Sequence, residues 1–596
     1  VKEPSDKPDT RAKEIAVAAG PRAGATNERI VAIFDEIADL LDVENANPFR
    51  VRAYRNAARS IGALSEDVGA MLARGIDLAT LPGIGTDLAG RMREIVETGG
   101  SELLTRLRSE TPGQIQMLLS LPGLGPRRVH RLEHDLNVHT MEDLATAARE
   151  HRIGTLPGFG PRTEQRLLDA VQARLDRHRR FSLDIAMRAV EPLMAHLRET
   201  GAAQALAVAG SYRRGRDTVG DLDIAVASGR PQTVIHAFLT YGQTRSVISA
   251  GSTRASTVLL NDMQVDLRVV PASSYGAALV YLTGSKAHNV ALRKMAQARG
   301  LKMNEYGVFR QGRKIAGRDE ASVYEALGLP WITPELREDT GELDAARDDT
   351  LPHLVEAREI RGDLHVHTNE SDGVDSLEAM VMAAGRQGLR YLAITDHSPH
   401  LGITHGLNAS RLAAQSDAID ALNAKGGLPT ILKGIEVDIL EDGSLDLPDT
   451  VLGRLDLVVG AIHSHFDLPA DKQTARLLRA IDHPHFSILA HPFARLIGER
   501  EACRFDTARV FQALAERGAF VEANGQPRRL DLWDTGCRLA KASGVPVSIA
   551  SDAHRTADFR NLRWALTQAR RGWLEAADVL NTRTLSRLRA MLKKTM

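Results

Sequence analysis

Cysteine is almost missing from this chain, which has only Cys503 and Cys537. Two thiols cannot build a disulfide framework or a four-thiolate zinc site, and with no apolar leader at the start they point to a reducing cytoplasm. Long hydrophobic runs are missing too. No uninterrupted apolar stretch approaches the roughly 20 residues that span a bilayer, so no membrane partner is expected. Neither sign of charge has a majority: Lys+Arg 76 balances Asp+Glu 76, for a formal net charge of +0. Neutrality neither demands a nucleic-acid partner nor excludes one, because one groove can be basic on a neutral protein.

What is present is length and pattern. A chain of 596 residues exceeds one hydrophobic core, which implies a string of folded units at about one per 100–200 residues. Residues 1–25 are polar and rich in Ala, Pro and charge, and read as a disordered extension. From about Asn27 to Arg180 apolar residues recur at helical spacing, with Gly and Pro confined to junctions, so two all-helical units are expected over 26–105 and 106–180. Between about Ala202 and Pro271 short runs such as DLDIAVA and MQVDLRVV announce a sheet, in an α+β unit over 181–271 with a smaller unit over 272–334 behind it. The acidic stretch 335–358, poor in large apolar groups, reads as the major linker. After Glu359 seven short apolar strands alternate with helix-like segments, which predicts a β/α barrel over 359–596 with its polar groups at strand C-termini.

One short repeat stands out in the helical third: Leu81-Pro82-Gly83-Ile84-Gly85, Leu121-Pro122-Gly123-Leu124-Gly125 and Leu156-Pro157-Gly158-Phe159-Gly160. Its glycines permit a tight turn with positive φ, and the helix that follows offers unpaired backbone N–H groups to a phosphate oxygen. One such pentapeptide is as easily a plain turn between helices; three are not. The repeat resembles the helix-hairpin-helix motif, which implies that Gly83, Gly85, Gly123, Gly125, Gly158 and Gly160 lie against nucleic-acid backbone. Such contacts position a duplex without reading it, so binding should be sequence-independent and weaken steeply with salt.

The sheet region carries Gly210-Ser211-Tyr212-Arg213-Arg214-Gly215, then Asp221-Leu222-Asp223, then Asp266. Two residues apart on an apolar strand, Asp221 and Asp223 leave one face and can grip a cation together, while Asp266 would come from a neighbouring strand to complete a second site. Phosphoryl transfer needs such a pair of ions, one to acidify the attacking hydroxyl and one to neutralise triphosphate and leaving pyrophosphate. Ser211 and the N–H groups after Gly210 would cradle phosphate, with Arg214 beside them. A calcium-binding or merely solvated Asp-x-Asp is the competing account. The Gly-Ser loop upstream and the third aspartate downstream weigh against it.

These residues resemble the family X DNA polymerases, from about Asn27 to Trp331. The resemblance implies that Asp221, Asp223 and Asp266 hold catalytic Mg2+ or Mn2+, and that Gly210, Ser211 and Arg214 bind the triphosphate. It further implies that Tyr281-Leu282-Thr283-Gly284-Ser285 contacts the incoming sugar, that Asn289 and Arg293 touch the nascent pair, and that LKMNEYGVF belongs to the thumb. Leu282 stands where the family has an aromatic residue, so its ribose exclusion does not carry over with the motif. Arg91 stands where animal members have a Schiff-base lysine. Arginine stays protonated and cannot form that imine, so 5′-sugar lyase activity by this route should be weak or absent.

The C-terminal region holds His365, His367, Asp372, His397, Glu436, His463, His491, Asp552 and His554, nearly all closing an apolar strand. Any one of these histidines alone is more often structural, but convergence at one barrel mouth would supply enough imidazole and carboxylate for three borderline cations such as zinc, manganese or iron. The motifs DLHVHT, SDG, ITDH, GIEVDI, AIHSH, LAHP and SDAH resemble, in order, the PHP (polymerase and histidinol phosphatase) domain. That implies manganese-stimulated 3′→5′ removal of nucleotides. Asp396, His405 and His465 are carried as neighbours that could support the ligands or touch substrate.

The expected whole is a bacterial or archaeal repair enzyme, a family X DNA polymerase for gap filling and base-excision repair joined to a 3′→5′ exonuclease. It would act as a monomer, cytoplasmic and at the nucleoid, on gapped or primer-template DNA with dNTPs. Two other classes compete: a DNA-binding scaffold whose only enzyme is the phosphoesterase, and a nucleotidyltransferase acting on RNA or a small molecule. The intact aspartates and Arg214 oppose the first, and three phosphate-clamping hairpins oppose the second.

Overall fold

The computed structural model describes residues 25–596 apart from 44–45, 63, 65, 82, 111–114, 116–117, 120, 122–123 and 179. The extension expected over 1–25 thus lies outside the described residues except for Ala25, which opens the first helix. The chain divides into two compact units, Val1–Arg179 and Arg180–Met596.

The described residues of the first unit are helices and turns. On α1 (Ala25–Val43), Ile30, Phe34, Ile37, Ala38 and Leu41 are buried at the three- and four-residue spacing of one helix face. Phe34 meets Tyr54 of α2 (Pro48–Gly62) edge to face, with ring centroids 5.2 Å apart. One apolar core gathers these helices with Met92 of α3 (Thr86–Thr98); another gathers Val129 and Leu132 of α4 (Pro126–Leu136) with Phe159 and with Leu167 of α5 (Pro161–His178).

The second unit opens with α6 (Leu183–Glu199), whose buried Leu183, Met187, Val190, Met194 and Leu197 face a mixed sheet. Its strand order is β1-β2-β5-β4-β3, with β1 (Ala205–Val208), β2 (Asp221–Ala227), β3 (Thr244–Ala250), β4 (Arg254–Leu259) and β5 (Gln264–Val270). Only the β2–β5 pairing is parallel, and it places the two functional strands side by side. On the sheet face that carries Asp221 and Asp223, opposite α6, α7 (Tyr275–Thr283) packs Leu279 against Ala225, and α8 (Lys286–Ala298) then leads into an antiparallel sheet of β6 (Leu301–Asn304), β7 (Gly307–Arg310) and β8 (Arg313–Ala316).

The expected linker over 335–358 is packed structure. Its helix α9 (Glu342–Arg347) contributes Leu343 and Ala346 to the core around Tyr324 and Leu336, and Arg337 and Glu342 are fully buried. The acidity that suggested solvation is partly internal charge. Glu342 accepts from His288 Nδ1 (2.6 Å) and from the amides of Asp339 and Thr340, and Arg337 pairs with Glu320 at 2.8 Å. A buried carboxylate with three donors loses little by leaving water.

Eight short parallel strands follow in two sheets. The first holds β9 (Gly362–Asp363), β10 (Tyr391–Ile394) and β11 (Thr430–Lys433); the second β12 (Glu436–Asp438), β13 (Val459–Ala461), β14 (Ile488–Leu489), β15 (Phe520–Asn524) and β16 (Val547–Ala550). Bridges Val366–Ala553 and His397–Glu436 join the sheets at their edges. Strands β11 and β12 are one run broken at Gly434, where a Cβ would come within 2.9 Å of the Ile394 carbonyl. Counted as one, they give seven runs, an arrangement consistent with the expected barrel. Leu530 and Trp564 from this region join the core beneath β2 and β5, so the two sheet systems share apolar packing.

Candidate active sites

Alternation along β2 sends Asp221 and Asp223 from one face, and the parallel register sets Asp223 opposite Asp266. Asp266 accepts from two neutral donors, Ser256 Oγ and Gln264 Nε2 (2.9 Å). Burial, then Asp221 and Asp266, push the Asp223 carboxyl up to about 7; burial and Asp266 raise Asp221. Three crowded carboxylates of this kind are short of positive charge, as a divalent-cation site should be. Gly210 has φ +61, and a Cβ there would lie 2.6 Å from Asp223 Oδ2, so glycine alone lets the Gly210–Gly215 turn pass this close to the carboxylate.

Asp221 and Asp223 border a cleft of about 560 Å³ whose walls carry Arg180, Arg214, Arg216, Lys286 and Arg293, with Gly210, Ser211, Tyr281, Leu282, Gly284 and Asn289 among them; Asp266 stands beside Asp223 in the register rather than in the cleft lining. Basic walls beside acidic groups suit a polyanion bound together with cations. Asn289 donates to the Tyr281 carbonyl (2.7 Å), while its Oδ1 is buried without a hydrogen-bond partner. Arg293 is braced by the Asn289 carbonyl at 3.2 Å. Arg214, read from the sequence as a phosphate ligand, lines the cleft but directs its guanidinium to Glu338 (3.0 Å) and the Thr283 carbonyl (2.5 Å). Burial lowers its pKa, against the pull of Glu338.

The nine C-terminal candidates converge. Donor atoms of His367, Asp372, His397 and His554 form one group within 4.8 Å; His365, His367 and Asp552 form a second, and His397, Glu436 and His463 a third. Glu436 sits at the centre, 2.9 Å from His491, 3.0 Å from His397, 3.3 Å from His463 and 3.4 Å from His365. His365 Nε2, both ring nitrogens of His367 and His491 Nδ1 are buried without hydrogen-bond partners. The orphaned nitrogens of His365 and His367, grouped with carboxylate oxygens, fit metal ions of the zinc, manganese and iron class. Burial and then His554 hold His367 down to about 3. Burial opposes charge on His397 and His554, but Glu436 and Asp372 carry the first up to about 10, and Asp372 and Asp552 carry the second up to about 9.

Other supporting residues were not singled out from the sequence. Glu522 accepts from His365 Nδ1 (2.6 Å) and from the His491 amide (2.8 Å), Asp438 holds His463 Nδ1 (2.5 Å), and Asn524 donates to Asp552 (3.0 Å). Asp438 and Asn524 sit two residues beyond Glu436 and Glu522 on their strands, an alternation visible in GIEVDI and VEAN. Of the three expected neighbours, Asp396 is buried and ties together Thr368, Ser371 and Gln415, bracing the loop after His367. His405 is exposed, and His465 reaches toward Glu441 at 3.8 Å.

In the first unit Gly83 and Gly158 have φ +80 and +84, as a tight turn requires, and Gly85 and Gly125 cap α3 and α4 with no side-chain hydrogen bond. A Cβ at Gly85, Gly125 or Gly160 would meet nothing within 4 Å, so these turns face open space. Gly123 lies outside the described residues. Arg91, on α3, pairs with Glu94 at 3.3 Å.

Four family models match: a helix-hairpin-helix domain over 25–101, a SAM-like helix-hairpin-helix tandem over 115–173, a DNA polymerase beta thumb over 278–338 and a PHP domain over 363–524. The chain is 36% identical over 569 residues to the DNA polymerase/3′-5′ exonuclease PolX of Bacillus subtilis (strain 168), covering 95% of this chain and 99% of that protein. Its C-terminal part is 29% identical over 232 residues to a probable phosphatase of Thermoanaerobacter sp. (strain X514), covering 37% of this chain and 89% of the relative. A probable phosphatase of Syntrophotalea carbinolica is 30% identical over 235 residues, covering 37% and 92%.

Proposed function

The chain belongs to the family X DNA polymerases of the PolX type, and from that premise we propose that it fills short gaps in DNA at the β2–β5 cleft and removes nucleotides 3′→5′ at the histidine cluster, in base-excision repair. One observation carries the reading: a single compact unit holds both an aspartate trio, two of whose members border a basic cleft, and a cluster of nine imidazole and carboxylate groups around Glu436. A scaffold with one working enzyme has no use for the first.

In this reading Asp221, Asp223 and Asp266 hold Mg2+ or Mn2+, which when bound supplies acidity toward the primer hydroxyl and screens the triphosphate. Ser211, the amides after Gly210, and Arg214 seat the phosphates. Tyr281 and Gly284 border the sugar, and the unsatisfied Asn289 Oδ1 with Arg293 faces the nascent pair. The glycines of the three hairpins let backbone amides approach duplex phosphates. His365, His367, Asp372, His397, Glu436, His463, His491, Asp552 and His554 hold up to three zinc, manganese or iron ions, which supply the charge screening and acidity that phosphodiester hydrolysis needs. Glu522 and Asp438 fix the ring orientation of His365 and His463. With Arg91 on α3, 5′-sugar lyase activity through an imine at this position is weak or absent. The protein works as a monomer in the cytoplasm, on nucleoid DNA.

The test is a gapped duplex with a labelled primer, incubated with and without dNTPs, beside a tRNA and a free nucleoside as competing acceptors. Gap filling with dNTPs and 3′ shortening without them is the expected pair. Shortening with no extension would leave the scaffold reading, and transfer to tRNA or nucleoside would move the chain to the wider nucleotidyltransferase class.

A further inference from the structure

The hydrolase region presses α10 (Leu562–Arg571) against the turn that closes the phosphate loop. Gln568 Nε2 donates to the Gly215 carbonyl (2.9 Å), and Gly215, at φ +67, lies so near α10 that a Cβ there would be 2.1 Å from Thr567 Cγ2, so glycine suits both the turn and the approach. At the end of α10 the Arg571 side chain is 1% exposed. Its Nη1 donates to the Arg214 carbonyl (2.7 Å) and to Glu338 Oε1 (3.0 Å), and its Nη2 to Asp534 Oδ2 (2.5 Å). The same Glu338 Oε1 accepts from Arg214 Nε at 3.0 Å. One carboxylate oxygen is thus shared by a guanidinium of the cleft wall and a guanidinium of the hydrolase. Arg570–Glu335 (2.8 Å) and Arg538 on the Thr340 carbonyl (3.2 Å) hold the Glu338 loop against the hydrolase on either side.

We propose that Arg571, a residue of the hydrolase domain, is a positioning residue for nucleotidyl transfer: it keeps Glu338 neutralised, so that Arg214 is free to leave Glu338 for the incoming triphosphate. The inference rests on Arg214 being a triphosphate contact. Glu338 and Arg214 are only 18% and 13% exposed at their side chains. If Arg214 departed from a carboxylate that poorly hydrated, and no second cation remained, an uncompensated charge would stay behind at a large cost. Arg571 is that second cation, and it cannot follow Arg214, because Asp534 and the Arg214 carbonyl hold it from two other directions. Arg216, 43% exposed and 4.0 Å from the same oxygen, is too far and too solvated to take its place.

The test is steady-state single-nucleotide gap filling by the full chain carrying R571M, R571K, E338Q or R571M/E338Q. R571M should raise the dNTP KM on the order of tenfold with kcat little changed, since only release of Arg214 is hindered. R571K should fall between it and the wild type. E338Q, which loosens the hold on Arg214, should leave KM unchanged or lower it, and added to R571M it should bring KM back near the wild-type value. A merely structural Arg571 gives the opposite pattern: E338Q raises KM, the double variant is no better than R571M, or KM and kcat deteriorate together. Any of these, or an unchanged KM in R571M, overturns the proposal. Should R571M fail to fold, judged by lost 3′ shortening, the sign of the E338Q effect and the R571K value decide. A wild-type chain that extends no primer would instead sink the polymerase reading on which this rests.

Discussion

At the β2–β5 cleft three carboxylates crowd together, and the hydrogen bonds to Asp266 come from neutral Ser256 and Gln264. At the histidine cluster every carboxylate touches imidazole, and Glu436 alone lies within 3.4 Å of four of them. Both arrangements suit divalent cations, but the first is electrostatically incomplete without them and the second compensates itself with protons. Cations at the cleft should therefore arrive with the triphosphate, whose charge completes the site. Those at the cluster should be resident and should displace protons as they load.

The sharpest way to break this contrast is to neutralise one carboxylate at each site. Asp223→Asn should lower primer extension by about 10³-fold or more while sparing 3′ shortening. It should also stabilise the chelator-treated protein by about 1–2 kcal/mol at pH 8, because it removes a charge that is buried and crowded by Asp221 and Asp266. The sign follows from a folded pKa raised from 3.8 to about 7: the penalty is absent below the unfolded value and complete above the folded one, so the gain should vanish toward pH 4. Thermal melts at the two pH values read it, and a destabilised variant at pH 8 would contradict the crowding. Glu436→Gln should do the reverse. It should cut 3′ shortening by about 10²-fold and lower metal-free stability by about 3–5 kcal/mol, since buried imidazolium loses its partner. A neutral effect on stability would show that the imidazoles carry no charge.

Smaller effects should separate the supporting residues in the same way. Asp438→Asn, at the His463 Nδ1, should weaken metal retention about 10–100-fold, read by equilibrium dialysis, because an ionised partner raises the basicity of the ring. Gln264→Leu removes only a neutral donor from Asp266 and should slow extension by roughly 3–5-fold, near 1 kcal/mol. If the Gln264 change proved the larger of the two, the distinction between ionic and neutral support would fail.

That these side chains come together was readable because each obeys a local rule. Asp221 and Asp223, like His365 and His367, are two residues apart where alternation sends them to one side, and the side chains of the histidine cluster close or border apolar strands. Their supports were not readable, because the partners are distant: His365 and Glu522 are 157 residues apart, and Arg214 and Glu338 are 124 apart. The stretch over 335–358 misled for the same reason. Glu342 looks solvated in a list of neighbours, and only the approach of His288 on α8 shows it to be an internal anion. For Asp396, beside His397 in the sequence, only packing shows what it braces: Thr368 and Ser371 in the loop after His367, and Gln415.

The amino-acid sequence by itself determined the helical hairpins, the strand rhythm and which polar side chains leave the same side of the chain, because these follow from periodicity and from backbone preferences that act over a few residues. Tertiary structure alone decided which charges became partners, and that the hydrolase closes over the phosphate loop through Arg571. Electrostatic strength depends on distance and burial, and both are set only when remote segments pack together.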